Sequence, residues 1–202
     1  MDEYKYMRGL LRTENHDFKS IAKRFFSEKM IRLNHAALGI ASETMELLEA
    51  VEKFEGSRSK DLTLRDKVIG EMGDVWWFTG LAFHSVGVAG IPNLGRLRES
   101  YIHSTHTGLV PLFSFVEEFV TKVKAQLYYD RDIRDPHLLA DLRRIAFSLD
   151  MLTELYSWMP STFDIWEANL AKLSSRHGDK FSDTGANIRN ESVELDAIRV
   201  KI

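Results

Sequence analysis

Hydrophobic residues recur every three or four positions along most of the chain, the spacing of one face of an α-helix. No sustained alternation of apolar and polar residues, the pattern typical of a half-buried strand, is present. The four prolines fall where one helical series stops or the next begins. The pattern therefore predicts an all-α fold. Two of the clearest series are Leu38, Met45, Leu48 and Val51, and Phe115, Phe119, Val123 and Leu127.

The breaks between these series divide the chain into seven predicted helices. After Arg176 the chain becomes polar and rich in small residues, which favours an extended arm or lid over 177–202 with Phe181 as its anchor. A length of 202 residues is typical of a single domain. The predicted helices are Phe18–Met30, Leu33–Phe54, Leu64–Val86, Asn93–Tyr101, Leu112–Tyr129, Pro136–Met159 and Thr162–Arg176.

Composition narrows the classes of function. Apolar residues make up 44% and charged residues 28%, as in ordinary globular domains. A net charge of −3 argues against a nucleic-acid or anionic-membrane surface. The absence of cysteine excludes disulfides, a thiol nucleophile and a cysteine zinc site, and it fits a reducing cytoplasm. The charged start lacks the apolar stretch of a signal peptide, so we expect a cytoplasmic protein without a membrane span.

A short internal repeat relates the two halves of the chain. The motif Asn-Leu-Gly-Arg-Leu at Asn93 resembles Asn-Leu-Ala-Lys-Leu at Asn169, and the same offset aligns Asp74 with Asp150. Chance similarity between amphipathic helices is the alternative to duplication of a helical unit. If the unit is duplicated, 33–101 is an acid-bearing half and 112–176 a degenerate half, with Phe147 at the position of Glu71 and Phe115 near that of Glu43.

Two groups of closely spaced acids lie on successive predicted helices. Glu43, Glu46 and Glu49 follow one another at three-residue intervals, and Glu71 and Asp74 repeat that interval on the next helix. Side chains three residues apart share a helix face, so like charges lie side by side. An apolar run with two tryptophans follows the second pair and indicates a buried helix, where paired carboxylates need a compensating cation.

The chemistry of these side chains favours a hard divalent cation. Carboxylate oxygens suit Mg²⁺ or Mn²⁺, and the sequence lacks the Glu-x-x-His pair of a di-iron bundle. His35 and His84 remain alternative ligands. A solvated charged face without an ion is the competing interpretation, and it weakens because two acid groups occur on successive helices.

The acid pattern is similar to the hallmark of a known family. E-x-x-E, a spacer and E-x-x-D is typical of the MazG-like all-α nucleoside triphosphate pyrophosphohydrolases, and it stands here at Glu43, Glu46, Glu71 and Asp74. The run Leu-Asn-His-Ala-Ala-Leu-Gly-Ile ahead of the first pair and Gly-Asp-Val-Trp-Trp around the second add to the resemblance. So does the segment from Asn169, which is similar to the closing motif N-x-x-K-L-x-x-R-Y-P-x-x-F.

Two departures from the family pattern matter. His177 and Gly178 replace the usual Tyr-Pro, and about 75 extra residues separate the first Asn-Leu motif from the second. Duplication would explain the insertion, because the related dimeric dUTPases resemble fused copies of the same helical unit. The resemblance implies a homo-oligomer of two or more copies.

The resemblance also implies a reaction and roles for residues. A (d)NTP would be hydrolysed to (d)NMP and pyrophosphate by a water that attacks the α-phosphorus, with Mg²⁺, or Mn²⁺ in its place, held by the four hallmark acids. Glu46 would be the general base, with Glu49 as the alternative. The triphosphate would contact Lys53, Lys172, Arg176 and Arg189, with Asn169 orienting a phosphate or water, and the base would contact Asn34, His35, Trp76 and Trp77.

Two other functions compete with this prediction. In the first, the chain is a catalytically silent helical scaffold whose acids decorate the surface and whose long helices mediate assembly. In the second, it is a phosphoribosyl-ATP pyrophosphohydrolase with the same acidic motif.

Overall fold

The computed structural model describes residues 3–57, 61–101, 108–178 and 190–202. Every regular element in these ranges is an α-helix, which confirms the all-α prediction. None of the described helices combines the length and the apolar character that a membrane span requires. The helices are α1 (Glu3–Thr13), α2 (Phe18–Phe25), α3 (Glu28–Gly56), α4 (Leu62–Ser85), α5 (Leu94–Tyr101), α6 (Leu109–Tyr129), α7 (Asp135–Leu155), α8 (Thr162–His177) and α9 (Glu191–Arg199).

Helices α3 and α4 form an antiparallel hairpin, the most extensive helix pair of the fold. His35 near the start of α3 meets Phe78 near the end of α4, with ring centroids 5.2 Å apart. Further along α3, Glu43 and Glu46 face Glu71, which lies earlier on α4. The paired positions therefore run in opposite directions, and the acids of both helices meet near the middle of the hairpin.

A second antiparallel hairpin, α6 and α7, packs against the first. Arg144 on α7 donates to Glu118 on α6 at 2.9 Å, and Lys122 one turn further along α6 pairs with Asp141 one turn earlier on α7. Helix α6 lies against α3 and α7 lies against α4. The core fills the space between the two hairpins, and its largest fully buried side chains include Trp76, Phe83, Phe119, Leu33, Ile40, Leu112 and Leu138.

Three shorter helices, α5, α8 and α9, pack around the two hairpins. Helix α5 follows the first hairpin and packs on α7 of the second, whereas α8 follows the second hairpin and packs on α4 of the first. Helix α9 lies against both α8 and α4. Helix α8 therefore passes beside the acids of α4, with α9 next to it.

Local sequence explains where the helices around the acids begin. Ser27, Asp61 and Ser161 precede α3, α4 and α8, and each side chain accepts a hydrogen bond from a backbone N–H of the first turn. Ser161 and Asp164 form a reciprocal capping box. These caps fix the register in which α3, α4 and α8 present their side chains to one another.

The structure corrects three sequence predictions. The predicted helix Phe18–Met30 is interrupted, because Ser27 caps a new helix and α2 ends at Phe25. Helix α1 occupies a segment for which no helix was predicted. The extended arm is wrong for Glu191–Arg199, which is helical because Asn190 caps it and Ile198 is buried. Phe181, its predicted anchor, lies outside the described residues.

Gly39 allows α4 to approach α3. A methyl group on Gly39 would overlap the ring of Phe78, whereas one on Gly56, at the end of the same helix, would meet no atom within 4 Å. We expect Gly39→Ala to lower the free energy of unfolding by about 1–3 kcal/mol through overpacking. Gly56→Ala should leave it unchanged or slightly raised. Urea unfolding of both variants measures the difference, and equal stabilities would contradict the close approach.

Candidate functional site

Three carboxylates from α3 and α4 converge on one point. Glu43, Glu46 and Glu71 each offer an oxygen atom, and these atoms lie within 4.8 Å of one another. Glu43 and Glu71 are half-buried, whereas Glu46 is exposed. The predicted meeting of the two acid groups therefore occurs for three of the four hallmark acids, and we refer to these three side chains as the carboxylate cluster.

The cluster carries a strong local negative field. Burial raises the pKa of Glu43 to about 7, and the charges of Asp74, Glu46 and Glu71 act in the same direction. The Lys172 ammonium opposes this rise. Near neutral pH Glu43 is therefore ionised in only part of the molecules, and a nearby cation would favour its charged form.

Asp74, the fourth predicted ligand, has other partners. One of its oxygens accepts a hydrogen bond from Asn169 Nδ2 at 2.8 Å, and the other pairs with the ammonium of Lys172. Lys172 is 3% exposed and also lies 3.5 Å from the carbonyl oxygen of Gly70. Asp74 thus joins α8 to α4 beside the carboxylate cluster. Asn169 and Lys172, both predicted at the substrate, here hold this aspartate.

A glycine makes the contact between α4 and α8 close. A Cβ atom at position 73 would lie 2.7 Å from Cβ of Asn169, which is shorter than real side chains tolerate. Gly73 immediately precedes Asp74, so its missing side chain lets Asn169 reach that carboxylate. The buried residues of α8 are Thr162, Ile165, Ala168, Asn169 and Lys172.

Arg176 lies beside the same acids but binds a residue that sequence reasoning missed. Its guanidinium donates to both oxygens of Glu194 on α9, at 2.9 and 2.6 Å, and both side chains are largely buried. That bond raises the pKa of Arg176, and the charges of Asp74 and Glu43 add to the effect. The signal for this helix was present in the sequence, since Asn190 precedes acids typical of a first helical turn.

Helix α9 borders the carboxylate cluster. Glu194, Glu46, Glu71 and Lys172 line a small cavity of about 100 Å³ between α9, α8 and the α3–α4 hairpin. Arg199 near the end of α9 donates to the buried Asp66 of α4 at 2.6 Å. The two arginine–carboxylate pairs, one to α8 and one to α4, fix α9 in this position.

Glu49 and Lys53 lie on α3 beyond the cluster and pair with each other. Their oxygen and nitrogen are 2.6 Å apart, and both side chains are largely exposed. The hydrogen bond from Lys53 lowers the pKa of Glu49, which makes that carboxylate a weaker base. The structure thus brings neither residue into the carboxylate cluster, and of the two predicted bases only Glu46 belongs to it.

The predicted base-binding residues divide into two groups. Trp76 is 1% exposed and packs edge-on against Trp166, with ring centroids 5.3 Å apart. Trp77 is 41% exposed, and the imidazole of His35 meets it edge-on at 6.2 Å. Asn34 is half-buried on α3 next to that histidine. Arg189 lies outside the described residues.

The second hairpin holds its own buried aspartate in a related way. Asp150 is 1% exposed, and it accepts hydrogen bonds from Arg98 of α5 at 2.6 and 3.1 Å and from Thr162 of α8 at 2.7 Å. The helix after each hairpin thus supplies a cation to the aspartate of the other: Lys172 to Asp74 and Arg98 to Asp150. A duplicated unit would give this reciprocal arrangement, and duplication stays a prediction.

Comparisons of the chain with protein-family models, with curated proteins and with solved structures find no match.

The raised pKa of Glu43 predicts a pH dependence of stability. The folded protein binds this proton more tightly than the unfolded chain, whose pKa is near 4.5. The metal-free protein should therefore lose stability as the pH rises from about 4.5 to about 7. Glu43→Gln removes this contribution, so urea unfolding of the variant should show a weaker decline. Parallel pH profiles for the two proteins would contradict the shift.

The buried pair between α8 and α9 predicts a stability difference within one helix. Glu194→Gln leaves Arg176 without its charged partner and should lower the free energy of unfolding by about 1–3 kcal/mol. Glu191→Gln is the matched control, because that exposed carboxylate faces Lys67 at 3.5 Å and its loss should cost less than about 0.5 kcal/mol. Urea unfolding measures the loss of stability in both variants. Equal losses would show that the Arg176–Glu194 pair does not stabilise the fold more than the exposed pair.

Proposed function

We propose that this protein is a Mg²⁺-dependent nucleoside triphosphate pyrophosphohydrolase. The observation that carries the proposal is the convergence of Glu43, Glu46 and Glu71 from two helices within 4.8 Å. The acids stand in the sequence pattern that resembles the MazG-like enzymes, and the hairpin brings three of them together. The substrate would be a (d)NTP, and the products a (d)NMP and pyrophosphate.

The donor set fits magnesium or manganese. The cluster provides carboxylate oxygens from three side chains, and hard divalent cations prefer such ligands. Burial, together with the charges of Asp74, Glu46 and Glu71, raises the pKa of Glu43, and Lys172 offsets only part of this rise. The exposed side of Glu46 leaves the cluster accessible to a substrate. We infer that Glu43, Glu46 and Glu71 would hold the ion.

The proposed hydrolysis assigns separate roles to the bound ion and to Glu46. When bound, Mg²⁺ would neutralise charge that develops on the phosphate oxygens and make a water molecule more acidic. Glu46, the exposed member of the cluster, would accept the proton of the water as its oxygen bonds to the α-phosphorus. The bond from that phosphorus to the bridging oxygen breaks, and pyrophosphate leaves with the bonding electrons.

Asp74, Asn169 and Lys172 act as positioning residues in this proposal. Their contacts fix α8 against α4 and place a buried ammonium beside the cluster. That ammonium opposes the rise in the pKa of Glu43 and forms an ion pair with Asp74. The cluster is thus preorganised before substrate arrives.

Substitution in the cluster tests the proposal. Glu71→Gln should lower kcat/KM for pyrophosphate release by about 100-fold or more, because an ion ligand is lost. The substitution should also raise the melting temperature of the metal-free protein, since one of several like charges is removed. We expect Mg²⁺ to raise the melting temperature of the unsubstituted protein but not that of Glu71→Gln. A pyrophosphate-release screen over the common (d)NTPs with Mg²⁺ or Mn²⁺ measures activity.

Glu52→Gln provides the matched control. This exposed glutamate lies on α3 outside the cluster, so its loss should leave pyrophosphate release and the Mg²⁺-induced shift unchanged. If the unsubstituted protein releases no pyrophosphate from any (d)NTP and Mg²⁺ does not change its melting temperature, the proposal fails and the scaffold function is favoured. Turnover of phosphoribosyl-ATP alone would favour the related hydrolase.

A further inference from the structure

An apolar cleft of about 410 Å³ lies between α4 and α8, next to the carboxylate cluster. Helix α4 forms its floor, where Gly73 and Gly80 are seven residues apart and share a face. Trp76, Trp77 and Trp166 form its walls, so three of the four tryptophans of the chain meet here. The remaining lining residues are Leu81, Ile91, Asn169 and Leu170.

The lining is suited to a flat, uncharged ring. No side chain that lines the cleft is ionisable, so a charged group would lose its hydration without gaining a partner. Aromatic walls instead favour a planar ring system. The indole nitrogens of Trp76 and Trp166 are buried, and neither has a hydrogen-bond partner among the described residues.

Asn169 connects the cleft to the acids of α4. Asn169 lines the cleft and donates to Asp74, which contributes to the field at Glu43. Along α4, Glu71 in the cluster and Trp77 in the cleft are six residues apart, which is about 9 Å of helix. A nucleotide has a matching distribution of charge over a similar length, with its phosphates at one end and an uncharged ring at the other.

We propose that the α4–α8 cleft binds the neutral base of the nucleoside triphosphate whose phosphates meet the carboxylate cluster. This inference rests on the proposed function. It assigns base binding to the α8 side of α4, through Trp166 and the glycine floor, rather than to Asn34 and His35 on α3. It also excludes phosphoribosyl-ATP, because the phosphorylated sugar on its adenine would place charge in the apolar cleft.

Filling the cleft separates base binding from phosphate binding. A Cβ atom on Gly80 would meet only Cδ1 of Ile91, at 4.0 Å. Gly80→Leu therefore projects a side chain into the cleft without a clash at Cβ, and a leucine is favoured over glycine inside a helix. Gly80→Ala gives a smaller filling at the same place. Gly56→Leu is the matched control, because its Cβ would meet no atom within 4 Å and it lies outside the cleft.

The probes are α,β-imido analogues of the common deoxynucleoside triphosphates, and inorganic tripolyphosphate, each with Mg²⁺ in calorimetric titrations. We expect Gly80→Leu to weaken binding of the tightest analogue at least about tenfold, Gly80→Ala to weaken it less, and Gly56→Leu to leave it unchanged. Tripolyphosphate should bind all four proteins equally, which also shows that the variants are folded. Leu170→Asn, at a side chain that is 65% exposed, should weaken the analogue and leave tripolyphosphate unaffected.

Tryptophan fluorescence gives an independent readout. Trp158 lies outside the cleft and contacts Phe54 and Glu55, so Trp158→Phe leaves only the three cleft tryptophans as emitters. The analogue should change the emission of this variant, and tripolyphosphate should not.

The outcomes distinguish the two proposals. If the analogue binds the unsubstituted protein, and Gly80→Leu and Leu170→Asn bind it equally well, the base lies elsewhere and the cleft inference is overturned while the proposed function stands. Binding of phosphoribosyl-ATP as tightly as the analogue would also overturn the inference. If neither the analogue nor tripolyphosphate binds the unsubstituted protein with Mg²⁺, the proposed function fails, and the inference fails with it.

Discussion

The repulsion between carboxylates in the α3–α4 hairpin is the constraint on which the rest of the site depends. Packing two amphipathic helices together brings Glu43, Glu46 and Glu71 within 4.8 Å, with Asp74 close by. Charges this close, and partly buried, need positive charge nearby. Within the described residues Lys172 offsets part of the repulsion, while burial and the remaining repulsion raise the pKa of Glu43 to about 7. The residual negative charge is what would attract a divalent cation.

This constraint explains why α8 and α9 pack where they do. Asn169 and Lys172 occupy two positions of the buried face of α8, where apolar residues would otherwise stabilise the packing. Their burial is favourable because Asp74 provides a partner for each. Arg176, one turn further along, adds positive charge near the same acids and needs Glu194 of α9 in turn. Successive layers of opposite charge thus connect α4, α8 and α9.

Sequence reasoning recovered the parts of this arrangement that depend on local spacing. The three-residue intervals placed Glu43 and Glu46 on one helix face, and the order of the helices indicated that Glu71 would meet them. The partners of Asp74 could not be found in this way, because a lysine that binds an aspartate and one that binds a phosphate have the same sequence signature. The sequence pattern does not predict helix α9, because the small polar residues before it favour an extended arm, although Asn190 is a typical N-cap residue.

The comparison of the two hairpins shows why the proposed reaction belongs to the first. Where Glu71 lies in α4, the predicted repeat places Phe147, which is 4% exposed in α7. Both buried aspartates of α7 pair with a cation: Asp150 accepts two hydrogen bonds from Arg98, and Asp141 pairs with Lys122. Buried acids that each have a cation leave little uncompensated negative charge to attract an ion. Similar helix packing therefore brings carboxylates together in the first hairpin, where we propose the ion, and pairs buried aspartates with cations in the second.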